Sequence, residues 1–403
     1  MLNLVLVAVA LVCAAILLSP RVRNNNRWRA TVTPLASIIG SGFLVIVPLL
    51  GHAVGGYAPV AMVGVVVLAY VVGSVIRYNI IHVEPRLKDS AMTGVRRLDY
   101  ASDIALGVAY FISVTFYLRL LAAFALRGIG SDSEFVAQII TSVILGFIGV
   151  AGWFRGLSFL ERLEEYSVSI KLAIIAALLI GWAVHDASQI HEFDIAALLP
   201  AQLDSWHVIR LLAGVLIVVQ GFETSRYLGD EYAPQIRVAT MRRAQILAGL
   251  IYVLFVALAV PTFGMLGNQV NETVIMELSQ VVAPVLPTML IVAAVMSQLS
   301  AAVADTVGTG GLFAETLGKR FKLPGKVGYI LVAVVGIVLV WTANIFEIIA
   351  LASRAFAFYY ALQCLEAAVV AGRDSTPKRL GVIGYGGLAL ILFVAVVIAI
   401  PAG

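Results

Sequence analysis

The sequence predicts an all-α polytopic membrane protein of about 12 transmembrane helices, built as two inverted five-helix repeats plus one extra helix at each end. Three observations carry this prediction. Of 403 residues, 61% are hydrophobic and only 12% charged, giving a mean hydropathy of +1.00, whereas soluble domains carry about 25% charged residues. Apolar runs long enough for a bilayer crossing, which takes ~20 residues, recur along the whole chain. Lysine and arginine gather at every second connection between those runs. The same composition excludes other classes. A net charge of +4, with no basic block or basic–aromatic stripe, points away from nucleic acid. Cys13 and Cys364 both lie in apolar runs, so neither a disulfide framework nor a zinc site is indicated.

The first run, 1–18, has no basic segment before it and no small-residue cleavage site. Its positive charges follow it, so it reads as a retained helix (1–20) rather than a secretory signal. Runs 34–53, 57–82, 99–126, 135–154 and 165–185 form a first group of five (34–185). Runs 206–232, 243–266, 283–317, 327–343 and 346–371 form a second (206–371), and 381–401 supplies the last helix (381–403). Arg21, Arg23, Arg27 and Arg29 follow the first run, and Arg77, Arg86, Lys88, Arg96 and Arg97 follow the third. Arg155 and Arg162 come after the fifth, and Arg237, Arg242 and Arg243 after the seventh. Lys319, Arg320, Lys322 and Lys326 follow the ninth, and Arg373, Lys378 and Arg379 the eleventh. These make 21 of the 27 basic residues; the opposite connections hold only Arg127 and Arg210. The asymmetry predicts an even number of crossings with both termini outside, in a multi-pass plasma-membrane protein, and the short loops suit a bacterial inner membrane.

The two groups of five start on opposite sides, and five is odd, so any likeness between them must be of inverted topology. The opening helix of each carries glycine near mid-depth: Gly40-Ser41-Gly42-Phe43 in one, Gln220-Gly221-Phe222-Glu223 in the other. Glycine costs about 1 kcal/mol against alanine inside a helix and readily adopts conformations that interrupt it. Unwound backbone at mid-membrane must bind something or face a cavity, and paired interruptions of this kind point to a transporter site. Taken singly, either motif also reads as glycine-mediated helix packing.

At these residues the chain resembles the amino acid–polyamine–organocation (APC) transporter superfamily, with its leucine-transporter-like fold. Ser37 to Pro48, containing Gly40-Ser41-Gly42-Phe43, is similar to the family's first-helix Gly-Ser-Gly-Ile-Phe signature, without the intervening Ile. Gly221-Phe222-Glu223, followed by Glu231 and Pro234, resembles the sixth-helix pattern, and the stretch from Gly156 to Lys171 resembles the entry into the fifth helix. The resemblance spans roughly 34–371. It implies that backbone N–H groups at Ile39, Gly40, Ser41, Gly42 and Phe43 meet a substrate carboxylate, aided by the half-helix dipole. Carbonyls near Gln220, Gly221 and Phe222 would receive its ammonium, with Phe222 or Phe43 as an aromatic gate.

Ionisable groups inside spans need a reason, because each costs about 2.5–3.5 kcal/mol on insertion scales. In some relatives the lysine matching Lys171 sits between the first, fifth and eighth helices, where sodium-coupled relatives hold Na⁺. Lys171 is thus the expected proton-coupling residue, unless it snorkels to the interface. Ser297 and Ser300 offer no Ser/Thr doublet for sodium. Glu223 is a second candidate for coupling or substrate contact, with Arg226 three residues on as an alternative partner. Arg119 with Asp305, and Glu347 with Arg354, are expected as buried ion pairs. Tyr110, Ser113 and Tyr117 recur at near-helical spacing; Ser113 is expected to line the cavity, although the stripe also reads as packing.

Together these point to a secondary active transporter of an amino acid or related small amine, working by alternating access, proton-coupled or exchanging, without cofactor, metal or covalent chemistry. An embedded enzyme lacks a catalytic set: His52, His82, His185, His191 and His207 fall mostly at span ends without metal-ligand spacing. A metal-ion carrier would want a carboxylate and a soft ligand in both broken helices, and a non-transporting receptor on the same fold is the remaining alternative.

Overall fold

The computed structural model describes residues 1–40, 42–88, 92–155, 158–189, 204–229, 231–267, 270–318, 321–373 and 379–401. Among them there is no strand. The helices are α1 (Leu2–Leu17), α2 (Asn26–Gly40), α3 (Ile46–Val54), α4 (Ala58–Tyr78), α5 (Thr93–Gly128), α6 (Glu134–Arg155), α7 (Ser158–Gln189), α8 (Ser205–Gly214), α9 (Pro234–Ala259), α10 (Val274–Val282), α11 (Leu286–Phe313), α12 (Val327–Thr342), α13 (Ile345–Gly372) and α14 (Arg379–Ile398). Among the described residues, eight helices are long and apolar enough to cross a bilayer, and the shorter apolar α1 and α12 join them. Two further crossings are made in pieces, α2 with α3 and α8 with the 3₁₀ turn Phe222–Tyr227, which accounts for the twelve expected.

Helix ends run beyond the apolar runs that announce them. α2 begins at Asn26 instead of 34, α5 extends from Thr93 to Gly128, and α9 starts at Pro234 instead of 243. Hydropathy marks only the length inside hydrocarbon, ~20 residues, whereas backbone hydrogen bonding continues through polar ends. Pro234 sits at the first position of α9, where its missing N–H is harmless. The short helix α10, before α11, was not legible in the hydropathy.

α5 is the spine of the bundle. Its 36 residues, about 54 Å at 1.5 Å per residue, pack between α11 and α13. It buries Tyr110, Ile112, Phe116, Tyr117, Leu120 and Phe124 along nearly its whole circumference. α1 lies outside this set, with Leu6 fully buried against α7. A Cβ at Gly181 would stand 3.2 Å from the Leu6 side chain, so glycine there sets how closely α1 docks.

Candidate functional site

The two interrupted crossings meet at their interruptions. α2 ends at Gly40, and residues 42–45 form turns before α3 resumes at Ile46. A Cβ at Gly42 would fall 2.7 Å from the Val218 Cα, just before the second break. There Gly221 has φ +113°, a region that disfavours side-chain-bearing residues, and a Cβ on it would fall 2.4 Å from Ser37 Oγ. Each glycine thus lets the opposite chain approach. Tyr252 of α9 binds both: its hydroxyl lies 2.9 Å from the Ile38 carbonyl and 2.8 Å from the Val218 carbonyl. Gln298 Nε2 of α11 donates to the Gly40 carbonyl at 3.1 Å. With its single proton the Tyr252 hydroxyl serves one of its two carbonyls at a time, and Gln298 serves the third, so both help to satisfy backbone acceptors that unwinding releases from helical pairing.

Ile39, Gly40, Gly42 and Phe43 line the first break, all buried, and Ser41 lies outside the described residues. Phe43 does not face the second break: its ring stacks on Phe255 at 4.1 Å and meets Tyr252 edge-on. Phe222 is the aromatic beside the carboxylate, stacked on Tyr360 at 5.0 Å.

Lys171 is almost wholly buried, 1% exposed. Its Nζ donates to the Ala36 carbonyl at 2.7 Å and to Ser297 Oγ at 3.3 Å, so it stands between α2, α7 and α11. Because α7 begins at Ser158, Lys171 lies 13 residues along it, about 20 Å from that end. Its ammonium is thus turned to two interior oxygens instead of snorkelling to the interface.

Glu223 does not pair with Arg226. Its Oε2 accepts from the Gly221 N–H at 2.9 Å and from the Tyr360 hydroxyl at 2.6 Å, folding the carboxylate back over the break. Its Oε1 is buried and has no hydrogen-bond partner among the described residues. Arg226 points the other way, donating to Asp99 at 2.5 Å with Glu366 at 3.5 Å. The unwound Gly221 amide is nearer to Glu223 than any guanidinium, and two acids on neighbouring helices claim Arg226.

The other two expected pairs are also replaced. Arg119 bonds Glu134 at the start of α6, while Asp305 accepts from Ser113 Oγ at 2.5 Å. Ser113 precedes Arg119 by six residues, about 9 Å along α5, so Asp305 meets α5 at a different level. Glu347 caps its own helix in a box with Asn344, and Arg354, two turns away, donates to the Ala399 carbonyl. Ser113 therefore reaches the interior, as does Tyr117, whose hydroxyl accepts from Gln220 Nε2 at 2.8 Å.

A network unforeseen in the sequence closes the bundle at the end carrying most basic residues. Arg237 holds Glu84 with both terminal nitrogens, at 3.1 and 2.7 Å, and donates to the Arg226 carbonyl at 2.6 Å. Gln363 Nε2 donates to Ser102 and Glu366, and Tyr227 to Asp103. The 3₁₀ turn is thereby tied to α5, α9, α13 and the segment around Glu84. Glu366, inside an apolar run, was a readable signal by the same rule that singled out Lys171. At the opposite end Arg127 bridges Asp132 and Glu277, linking α5 to α10.

A helical bundle with two interrupted crossings meeting at mid-depth, polar groups converging on both breaks and ion-paired closures at each end, defines a transporter of the leucine-transporter-like class. The chain belongs to the APC superfamily of transporters: the model of that family matches residues 20–399. A protein of Aquifex aeolicus (strain VF5), itself uncharacterised, is 43% identical over 366 residues, 88% of this chain and 86% of that one. Among solved structures, a Na⁺-coupled sialic acid symporter aligns over 100% of this chain and 98% of its own, with TM-score 0.56 and 12% identity. A manganese transporter of Eremococcus coleocola aligns over 93% and 87%, with TM-score 0.57 and 13% identity. At these identities the likeness concerns the fold. The chain is a multi-pass membrane transporter and not an enzyme.

Proposed function

We propose that the chain carries an amino acid or related small amine by alternating access, coupled to protons through Lys171. The reading rests above all on the Lys171 ammonium, seated against the Ala36 carbonyl and Ser297 hydroxyl beside the first break. A protonated lysine supplies at that point the single positive charge that a bound monovalent cation would otherwise supply. Losing the proton removes the charge that draws α2 onto α7 and α11, so helix position follows protonation. Glu223 Oε1, an unused buried acceptor beside the second break, fits a substrate ammonium. The N–H groups freed at the first break fit its carboxylate. The breaks belong to inverted repeats placed at 34–185 and 206–371, with both termini outside a bacterial inner membrane.

The test is counterflow uptake in proteoliposomes against a panel of amino acids, amines and divalent metals. Uptake of an amino acid or amine, raised by an inward proton gradient and made gradient-independent by Lys171→Ala while binding is kept, is the expected result. An unchanged pH dependence in that variant sinks the coupling role. Manganese uptake would replace the substrate class by the metal-carrier alternative, and ligand-induced stabilisation without flux by the receptor alternative.

A further inference from the structure

We infer that the basic end carries a binding site for one anionic glycerophospholipid, in the groove between α2 and α9. The groove has a volume of about 440 Å³ and is lined by Asn25, Arg27, Trp28, Thr31, Arg243 and Leu247. Its chemistry divides along its length. Both helices run inward from the basic end, and on each an arginine precedes an inner groove residue by one turn: Arg27 before Thr31 on α2, Arg243 before Leu247 on α9. The two guanidiniums therefore stand at the outer end. Both are exposed, and neither is ion-paired among the described residues. Trp28 also lines the groove, and its indole N–H is buried with no hydrogen-bond partner among the described residues. Farther in, the groove opens on the apolar side of α9, where Ile246 and Leu250 are 55% and 56% exposed.

Two cationic forks at one end, with an apolar wall continuing into the bilayer, match a phosphodiester headgroup followed by its acyl chain. Basic pockets between transmembrane helices at the basic, inward-facing end recognise such headgroups, and guanidinium engages phosphate with two parallel hydrogen bonds. A soluble anion satisfies only the outer half. Charge complementarity and the apolar continuation together favour the lipid. The site joins the first half of an interrupted helix to α9, which also carries Tyr252.

The test uses purified, delipidated full-length protein titrated with phosphatidylglycerol, phosphatidylcholine or inorganic phosphate, with bound lipid counted by native mass spectrometry. Phosphatidylglycerol is expected to bind, with Arg27→Gln and Arg243→Gln each weakening it about fivefold and the double variant about thirtyfold. A control removing the same charge outside the groove, Arg96→Gln with Arg97→Gln, should stay within about twofold. An equal loss in the control, equal binding of phosphatidylcholine, or displacement by millimolar inorganic phosphate would each overturn the site.

Discussion

Gly221→Ala tests the meeting of the two breaks most directly. At φ +113° the residue lies where an L side chain is strained by about 1–3 kcal/mol. The new Cβ would stand 2.4 Å from Ser37 Oγ, 2.6 Å from Ser37 Cβ and 2.7 Å from the Ile38 nitrogen. Rotation of the hydroxyl relieves only the first of these, and overpacking of the others adds about 1–3 kcal/mol. The total, about 2–6 kcal/mol, is a large part of the 5–15 kcal/mol that ordinarily separates folded from unfolded protein. Gly146→Ala is the comparison: that glycine lies inside α6 with nothing within 4 Å of a Cβ, so alanine should stabilise by about 1 kcal/mol. Thermal unfolding in detergent, read beside uptake, separates them. Gly221→Ala should unfold well below wild type and lose uptake, while Gly146→Ala unfolds at or above it. If the two variants unfold within about 1 °C of each other, the breaks do not meet as described.

Arg226→Met leaves Asp99 and Glu366 without their shared cation, and should destabilise by about 3–5 kcal/mol; Glu366→Gln in the same chain should recover part of the loss of melting temperature. Tyr360→Phe keeps the stack on Phe222 but removes the 2.6 Å donation to Glu223. Uptake at low substrate should fall at least tenfold for a charge-assisted bond of about 1.5–3 kcal/mol, and unchanged uptake would remove Glu223 from the site. Burial, with Glu134 and Asp132 nearby, pushes the Glu272 carboxyl above the usual carboxylate range against the pull of Arg119. A raised carboxyl favours the protonated folded form, so stability is present at low pH and falls as pH rises through that range. Glu272→Gln should raise the melting temperature near pH 7 and leave it unchanged near pH 4, and equal gains at both would refute this.

The number of crossings and both broken helices were legible because each follows from local rules. A bilayer demands about 20 apolar residues, and glycine in an apolar run marks where a helix can yield. Lys171 was legible for a similar reason: a charge in hydrocarbon announces itself by its expense. Its partners were not, because packing alone decides which carbonyl of α2 faces the Lys171 ammonium and brings Ser297 of α11 beside it. The expected pairs failed on the same ground. Glu223 with Arg226, and Glu347 with Arg354, were argued from spacing along one helix, and Arg119 with Asp305 from two helices packing at all. Glu347 instead caps its own helix with Asn344, and the others found nearer partners across the bundle: Tyr360, Asp99, the Ala399 carbonyl, Glu134 and Ser113. Tyr252 and Gln298 had no distinguishing pattern, being single polar residues on helices whose facing was unknown. The sequence by itself determined membrane class, the number of crossings and the places where helices break, since those depend on hydrophobic length and on glycine. Only the tertiary structure decided which groups satisfy one another, because in a medium without water a buried donor or acceptor can pair only with what packing brings within reach.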